Sequence, residues 1–200
     1  VRLLVYTGCM HILYVNGHPS ADSFHAAIQE AFLDSVASGQ EVRVLELGKE
    51  SFDPVLRFGY AKRMAPDDLI TKSQQWVHWA DHIVFAFPIW WGDAPALMKG
   101  WIERVFTPGE MYILRDIKNG RLLQGKTADL IVTSRIPRVA YYAAGNGALA
   151  VFTRNLFLLT GIKKRRVITL GSIGLFPGID TAKRRKKFLA KVTRLAASIK

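Results

Sequence analysis

The sequence of 200 residues contains a single cysteine, Cys9, and only 16 acidic residues. One cysteine excludes an intramolecular disulfide framework, a cysteine-rich zinc site and an iron–sulfur cluster held by this chain alone. No apolar run comes near the roughly 20 residues that cross a bilayer, so we expect no membrane insertion and a soluble, cytoplasmic protein. Internal repeats, low-complexity tracts and linkers are lacking as well, which favours a single domain.

The residues that are abundant are hydrophobic or basic. Half of the chain is hydrophobic, which is enough apolar surface to exclude wholesale disorder. The 28 Lys and Arg residues give a formal net charge of +12, which suits anionic partners such as phosphate-bearing cofactors, nucleic acid or an acidic membrane. Most of this excess lies in residues 163–166 and 183–187, followed by Lys191, Arg194 and Lys200. We interpret these segments as solvated faces and expect no nucleic-acid partner; a patch for nucleic acid, acidic lipid or the phosphates of NADPH is the alternative.

The beginning of the chain favours an extension ahead of the core. Met10 stands directly before the apolar run HILYV, which is typical of an opening strand. We therefore predict an N-terminal extension over residues 1–9 and one domain over residues 10–200.

Short apolar runs alternate with longer segments of helical periodicity. The runs rich in Val, Ile, Leu and Phe, typical of strands buried on both faces, are 12–15, 41–47, 82–87, 127–133 and 166–170. The helical segments are 24–32, 69–80, 97–105, 145–160 and 188–199. This alternation predicts an open parallel sheet of five strands with helices on both faces.

An open parallel sheet binds ligands beyond the carboxyl ends of its strands, where the strand order reverses. In the order 2-1-3-4-5 this point lies between the loops after the first and third strands. The first of these loops, NGHPSADSFH at residues 16–25, leads into a helix. Its hydroxyls, imidazoles and free backbone N–H groups are typical of an anion cradle. The alternative is that Ser20, Asp22 or Ser23 only caps the helix.

The second loop lies in FPIWWGDAPALMKGW, residues 87–101. Trp90 and Trp91 cannot both point into one core, because neighbouring side chains diverge. We expect at least one of them to face the crevice and offer an apolar wall to a planar ring. The alternative is that both pack beneath a neighbouring loop or subunit. Trp101, on the apolar face of the next helix, is predicted to be a core residue.

The run FPIWWGDAPALMKGWIERVF, residues 87–106, closely resembles the signature of the flavin-dependent NAD(P)H:quinone oxidoreductases, the DT-diaphorase-like branch of the flavodoxin-like folds. The first loop matches the same family through His18, Ser23, Phe24 and His25. The resemblance implies an α/β flavodoxin-like three-layer sandwich whose parallel sheet has the order 2-1-3-4-5. It also implies FAD or FMN as cofactor, NAD(P)H as co-substrate, a quinone-like acceptor and a homodimer.

The resemblance assigns roles to individual residues as well. Contacts to the flavin phosphate or ribityl chain are implied for His18, Ser23, Phe24 and His25. Contacts around the isoalloxazine ring are implied for Pro88, Ile89, Trp90, Trp91, Gly92, Thr133 and Ser134. Tyr141 falls at the place of a family tyrosine near flavin and quinone, with Tyr142 as the alternative, and we expect one of them to be catalytic.

Two departures from the family pattern concern the third loop. Arg135 and Ile136 stand where members of the family typically have Gly-Gly, so the Arg135 side chain either narrows the pocket or binds a nucleotide phosphate. The histidine that often follows the family tyrosine is replaced by Gly145-Asn-Gly. Proton delivery to a reduced quinone would therefore depend on Tyr141, Tyr142 or water.

Competing motifs are weaker. The glycines at 145–150 come too late in the chain for a dinucleotide-binding fingerprint, and the sequence has neither a nucleophile elbow nor a Walker loop. No carboxylate dyad or metal cluster is evident; His78 and His82 are predicted to be surface or packing residues. We therefore expect a flavin-dependent NAD(P)H oxidoreductase with ping-pong hydride transfer to quinones. The alternatives are a flavin-binding ancillary subunit of an ion-efflux system and, more weakly, a basic protein associated with nucleic acid.

Overall fold

The computed structural model describes residues 9–116, 119–175 and 178–200. Five parallel strands form one sheet in the order β2-β1-β3-β4-β5. The strands are β1 (His11–Asn16), β2 (Glu41–Glu46), β3 (His82–Ile89), β4 (Thr127–Ser134) and β5 (Lys163–Leu170). The predicted sheet and its order are thereby confirmed. Residues 1–8 lie outside the described residues, so the extension over 1–9 stays a prediction.

Seven α-helices, a 3₁₀ turn and a π-helical segment connect or follow the strands in the described part of the chain. They are α1 (Phe24–Leu33), α2 (Asp68–Trp79), α3 (Ala96–Val105), α4 (Arg138–Ala143), α5 (Gly147–Ala150), α6 (Phe157–Thr160) and α7 (Ala182–Ala197). A 3₁₀ turn, Leu47–Lys49, follows β2, and a π-helical segment, Val151–Leu156, joins α5 to α6. None of the helices in these ranges combines the length and hydrophobicity that crossing a bilayer requires.

Several elements differ from the sequence prediction, and three of these differences have a clear cause. β5 begins at Lys163 rather than 166, because its first residues are charged and exposed and carry no apolar pattern. The helix predicted from 145 begins at Gly147, since Gly145 and Asn146 have left-handed φ values of 91° and 48°. The short helix α4 was not predicted, because its sequence, RVAYYA, buries Tyr141 alone.

Helices cover both faces of the sheet and create two apolar cores. On one face α2, α3 and residues 147–160 pack on the strands. Trp101 is fully buried there, as predicted, and its Nε1–H donates to Ser73 Oγ at 2.9 Å. On the other face α1 and α7 pack together, and both Phe32 of α1 and Phe188 of α7 belong to this second core. The central strand β3 is buried along its whole length, which explains its continuous apolar sequence.

The amino ends of the strands enclose a buried polar cluster. His82 Nδ1 lies 2.7 Å from Thr127 Oγ1, and His82 Nε2 lies 3.4 Å from the Asp129 carboxylate. The same carboxylate accepts the backbone N–H of Arg166 at 2.8 Å and lies 3.5 Å from its guanidinium. His82 is therefore a packing residue, one of the two predicted possibilities.

At the opposite edge, β1, β3 and β4 end beside one another. The register pairs Asn16 with Ala86, and Pro88 and Ile89 with Thr133 and Ser134. Three loops therefore begin side by side at the point where the strand order reverses.

Candidate functional site

The first loop is held in place by its own polar side chains. The backbone N–H of His18 donates to Asn16 Oδ1 at 3.0 Å, and that of Ser20 donates to His18 Nδ1 at 3.0 Å. Gly17 lies so close to α3 that a Cβ there would be 2.8 Å from Met98 Cε. The loop is thus fixed against the helix that follows the second loop.

Ser23 ends this loop at the N-cap position of α1, but it does not cap the helix with its side chain. Its hydroxyl is buried and lacks a hydrogen-bond partner among the described residues. The first N–H groups of a helix also have no partner within the helix. The interpretation of Ser23 as a simple helix cap therefore has no support in the geometry, and the helix start offers several donors.

His25 connects the first loop to the third. Its Nε2 lies 2.9 Å from Thr133 Oγ1, whereas its buried Nδ1 has no hydrogen-bond partner in the described part of the chain. Burial, and then the nearby His18 imidazole, lower the pKa of His25 to about 3, so the ring is neutral at neutral pH. A neutral imidazole has one donor and one acceptor nitrogen. The His18 ring stacks on that of His25 at 5.8 Å and meets Trp90 edge-on at 5.7 Å.

The second loop is a tight turn closed by two backbone bonds. Trp90 N–H donates to Asp93 O at 2.9 Å, and Asp93 N–H donates to Trp90 O at 3.0 Å. The two central residues, Trp91 and Gly92, have φ values of 51° and 82°, as a two-residue turn of the I′ type requires. The left-handed conformation suits glycine and costs a residue with a Cβ roughly 1–2 kcal/mol.

This turn sets the exposure of the two tryptophans. The Trp91 side chain is fully exposed and that of Trp90 is 45% exposed. Neither ring is covered by another loop within the described chain, so that alternative is not observed for a single subunit. Trp90 contacts His18 of the first loop, so it stands at the boundary between the two loops.

The third loop begins with two buried hydroxyl residues. Thr133 faces His25, and Ser134 Oγ donates to Ile136 O at 2.7 Å. The loop after β5 is attached to it, because Ile173 N–H donates to Ser134 O at 3.0 Å. The Arg135 side chain is exposed.

Tyr141 lies on α4, close to the second loop. Its side chain is 4% exposed, and its phenol oxygen accepts the backbone N–H of Leu149 at 3.2 Å. Desolvation raises the pKa of Tyr141 above its ordinary value, which keeps the phenol protonated. Tyr142 is partly exposed, with the Arg138 guanidinium 5.4 Å from its ring centroid. Of the two candidates, Tyr141 is therefore the one held in a fixed environment.

The turn before α5 joins Tyr141 to the second loop. Ala148 N–H donates to Gly92 O at 2.8 Å, and a Cβ at Gly147 would lie 2.5 Å from the same oxygen. Asn146 has a left-handed φ and a buried Oδ1 with no hydrogen-bond partner among the described residues. Sequence reasoning did not single out Asn146 as a site residue, although the Asn-Gly dipeptide is a turn signal.

Most of the residues singled out in the sequence thus meet at one edge of the sheet. The first, second and third loops are joined by direct contacts among His18, His25, Trp90 and Thr133. Pro88 and Ile89 are buried at the end of β3. Phe24 differs, because its ring packs on Phe188 of α7 at 6.4 Å.

Comparisons with known proteins agree with this architecture. A family model described as the flavodoxin-like fold matches residues 10–195. The chain is 32% identical over 145 residues to NAD(P)H dehydrogenase (quinone) 1 of Cavia porcellus, covering 61% of this chain and 52% of that protein. It is 30% identical over 164 residues to ribosyldihydronicotinamide dehydrogenase (quinone) of Pongo abelii, covering 70% of this chain and 71% of that protein.

The chain thus spans about half the length of the first of these relatives and about seven tenths of the second. A solved structure, Smu.1420 from Streptococcus mutans UA159, superimposes with a TM-score of 0.82 at 32% identity, covering 95% of this chain and 100% of that one. On these matches, the chain belongs to the NAD(P)H:quinone oxidoreductase family with the flavodoxin-like fold.

Proposed function

We propose that this protein is a flavin-dependent oxidoreductase that carries hydride from NAD(P)H to quinones or similar electrophilic acceptors in a ping-pong cycle. The observation that carries the proposal is the meeting of three loops at the carboxyl ends of β1, β3 and β4, where two buried polar atoms, Ser23 Oγ and His25 Nδ1, have no hydrogen-bond partner among the described residues. Buried polar groups are normally hydrogen-bonded in a folded protein.

The donor set near α1 fits the phosphate end of a flavin. A phosphate needs several hydrogen-bond donors, and helix N-termini provide them together with a partial positive charge. The Ser23 hydroxyl, the first N–H groups of α1 and the imidazoles of His18 and His25 supply such donors. We assign these groups to the phosphate and ribityl chain, with Phe24 contributing through its backbone.

The loops after β3 and β4 fit the ring end. Trp90 and Trp91 offer exposed aromatic surface, and the turn at Gly92 presents backbone near the ring. Pro88, Ile89, Thr133 and Ser134 form the buried strand ends beneath it. We assign Arg135, which is exposed at the rim, to the outer part of the cofactor.

A bound flavin would supply the hydride chemistry itself, accepting hydride from the nicotinamide and passing it to the acceptor. The chain then has to orient the reactants and manage a proton. Tyr141 suits the second task, because its oxygen already accepts the Leu149 N–H, which leaves the phenol O–H free to donate. Tyr142 is the more exposed alternative.

The assembly and location follow from the same proposal. We propose a homodimer to whose interface the exposed apolar side chains of Val55, Phe58, Tyr60, Ile113 and Leu114 contribute. Clustered apolar side chains of this size on a surface mark protein–protein contacts. We place the protein in the cytoplasm, where reduced nicotinamide nucleotides are available. FMN or FAD is the cofactor, and the mass of the compound released by heat distinguishes them.

The proposal is tested by flavin spectroscopy. Protein saturated with FMN or FAD should lose its yellow absorbance on addition of NADH, NADPH or ribosyldihydronicotinamide and regain it with a soluble quinone. Parallel lines in a double-reciprocal analysis would establish the ping-pong order. Bound flavin without turnover would refute the enzyme and favour the ancillary subunit, which the names of the relatives do not favour.

Replacement of Ser23 tests the phosphate assignment. We expect Ser23→Ala to weaken flavin binding by about 1–2 kcal/mol, because a hydrogen bond to a charged group is lost. The stability of the flavin-free protein should change by less than about 0.5 kcal/mol, since the hydroxyl has no protein partner to lose. Ser51→Ala, at an exposed serine, is the matched control. Equal flavin affinity in both variants would contradict the assignment.

A further inference from the structure

The basic residues are concentrated in the last third of the chain. Residues 130–200 contain fifteen Lys and Arg and one acid, Asp180, and carry a net charge of +14, whereas residues 1–129 carry −2. Asp180 is itself occupied, because both of its carboxylate oxygens accept hydrogen bonds from Arg185. The positive charge of this region is therefore almost uncompensated by acids within residues 130–200.

The fold places these cations along two neighbouring elements, β5 and α7. β5 is an edge strand, and α7 runs antiparallel to it, because Arg184 of α7 donates to Gly171 O at the end of β5 while Arg166 of β5 donates to Ser198 after α7. The exposed cations along these elements, which we name the basic surface, are Lys163, Lys164, Arg165, Lys183, Lys186, Lys187, Lys191 and Arg194. Eight residues of strand and sixteen of helix give the surface a length of about 25 Å.

An apolar rim adjoins the basic surface at the end that holds the candidate site. Its exposed side chains are Ile136, Val139 and Ile179, at 45%, 82% and 46% exposure. The loops that carry them are tied together, since Ser172 N–H donates to Ile136 O at 3.2 Å. Arg135 and Arg138 are exposed on the same segment.

We propose that the basic surface and its apolar rim dock the protein on an anionic phospholipid membrane. Lysine and arginine clusters are attracted to anionic headgroups, and exposed aliphatic side chains between cations enter the acyl boundary. In this orientation the third loop, which follows β4, faces the membrane. Hydrophobic electron acceptors dissolve in the lipid of that membrane. The docking is independent of the proposed reaction and can be measured without turnover.

Two other occupants fit the surface less well. A second copy of this chain would bring two strongly positive faces together and be repelled. Surfaces that bind single-stranded nucleic acid without sequence preference combine cations with aromatic platforms for the bases. Duplex DNA is bound through its phosphates, which offer no apolar partner to the exposed aliphatic side chains of the rim. Between residues 163 and 200 the sequence has two aromatic residues, and the one that the structure describes, Phe188, is buried.

Vesicle sedimentation of the flavin-saturated protein tests the proposal. We expect binding to vesicles of phosphatidylcholine with phosphatidylglycerol, little binding to phosphatidylcholine alone, and a decrease as salt is raised, because salt screens the attraction. Absence of binding to both vesicles at physiological salt would overturn the proposal and leave the cations as a solvated face. Tighter binding to duplex DNA than to anionic vesicles at the same salt would also overturn it.

Matched variants locate the contact. Each cation near an anionic membrane contributes about five-fold in partitioning, so Lys186→Gln with Lys187→Gln should lower vesicle binding about 25-fold. The control, Lys62→Gln with Arg63→Gln, removes two exposed cations outside the basic surface and should leave binding unchanged. Val139→Ser should lower vesicle binding about five-fold through lost burial of an aliphatic side chain and leave duplex DNA binding unchanged. Equal losses in the lysine pair and in the control would overturn the placement.

Discussion

Two buried histidines at opposite ends of β4 show how differently the two edges of the sheet are built. His25 and His82 each lie against a threonine of β4, at 2.9 Å from Thr133 and 2.7 Å from Thr127. The second nitrogen of His82 faces the Asp129 carboxylate, whereas that of His25 has no partner among the described residues. At the amino edge the atoms that lack a hydrogen bond, among them His82 Nε2 and Asp129 Oδ2, still lie against a group of opposite charge. At the carboxyl edge His25 Nδ1 faces no carboxylate among the described residues.

The difference separates stability from binding. At the amino edge a carboxylate, an imidazole and a guanidinium are held together by the pairing of β3, β4 and β5. At the carboxyl edge Ser23, His25 and Asn146 keep buried polar atoms unpaired, which lowers stability unless a ligand pairs them. We therefore expect changes at the first edge to affect unfolding and changes at the second to affect cofactor affinity.

The largest effect on the free energy of unfolding is expected from a substitution that breaks the buried cluster at the amino edge. Asp129→Ala leaves the Arg166 guanidinium and His82 without their carboxylate and should lower the free energy of unfolding by about 3–5 kcal/mol. Urea denaturation at neutral pH measures it. Asp129→Asn, which keeps an acceptor for the Arg166 N–H, should be affected less.

The flavin affinity of Asp129→Ala should contrast with its stability. Under conditions in which Asp129→Ala remains folded, its dissociation constant for flavin should equal that of the wild type, because the cluster lies at the other edge of the sheet. A large loss of flavin affinity without loss of stability would contradict the division between the two edges.

A smaller effect on the free energy of unfolding is expected from His25 when the pH is lowered. The pKa of His25 is about 3 in the folded protein, against 6.5 for an ordinary histidine. Between pH 3 and pH 6.5, therefore, the unfolded chain binds a proton at this residue and the folded chain does not. Stability therefore falls as the pH falls below 6.5, and His25 should account for a loss of about 2 kcal/mol between pH 7 and pH 5.

Urea denaturation of the flavin-free protein at the two pH values measures this loss. His25→Gln, which cannot titrate, should lose about 2 kcal/mol less than the wild type over the same interval, while all other groups contribute equally. The same pH dependence in both proteins would show that His25 has the same pKa in the folded and unfolded states, which would contradict the lowered value.

The sequence was sufficient for the parts of the fold that depend on local apolar pattern and motif spacing. The five strands, the position of the three loops and the buried Trp101 were predicted, because buried strands and amphipathic helices leave regular periods. The partnership of His82, Asp129 and Arg166 could not be predicted, since it depends on the register of β4 and β5, which contains an irregularity at Ala128/Asp129.

The candidate site residues were proposed from motifs, but their conformations could not be predicted in this way. Gly92 indicated a turn, whereas the left-handed φ of Trp91 follows from closure of that turn by Trp90 and Asp93. The unpaired state of Ser23 and Asn146 depends on the packing of several loops. Long-range contacts of this kind have no local sequence signal.

The smallest expected effect is a gain of stability at the second loop. Trp91 adopts a left-handed conformation with its side chain fully exposed, so its strain is not compensated by burial in the chain. Trp91→Gly should raise the free energy of unfolding of the flavin-free protein by about 0.5–1 kcal/mol, because relief of strain exceeds the greater entropy of unfolded glycine.

Trp91→Ala is the matched control, since alanine keeps the Cβ and hence the strain. Both variants should bind flavin more weakly, by about 1 kcal/mol for the loss of an aromatic contact. A strained, exposed tryptophan that is dispensable for stability and required for affinity is what a ligand-binding turn predicts. If both variants retain flavin as tightly as the wild type, the ring does not lie against Trp91, and the strain of this turn needs another explanation.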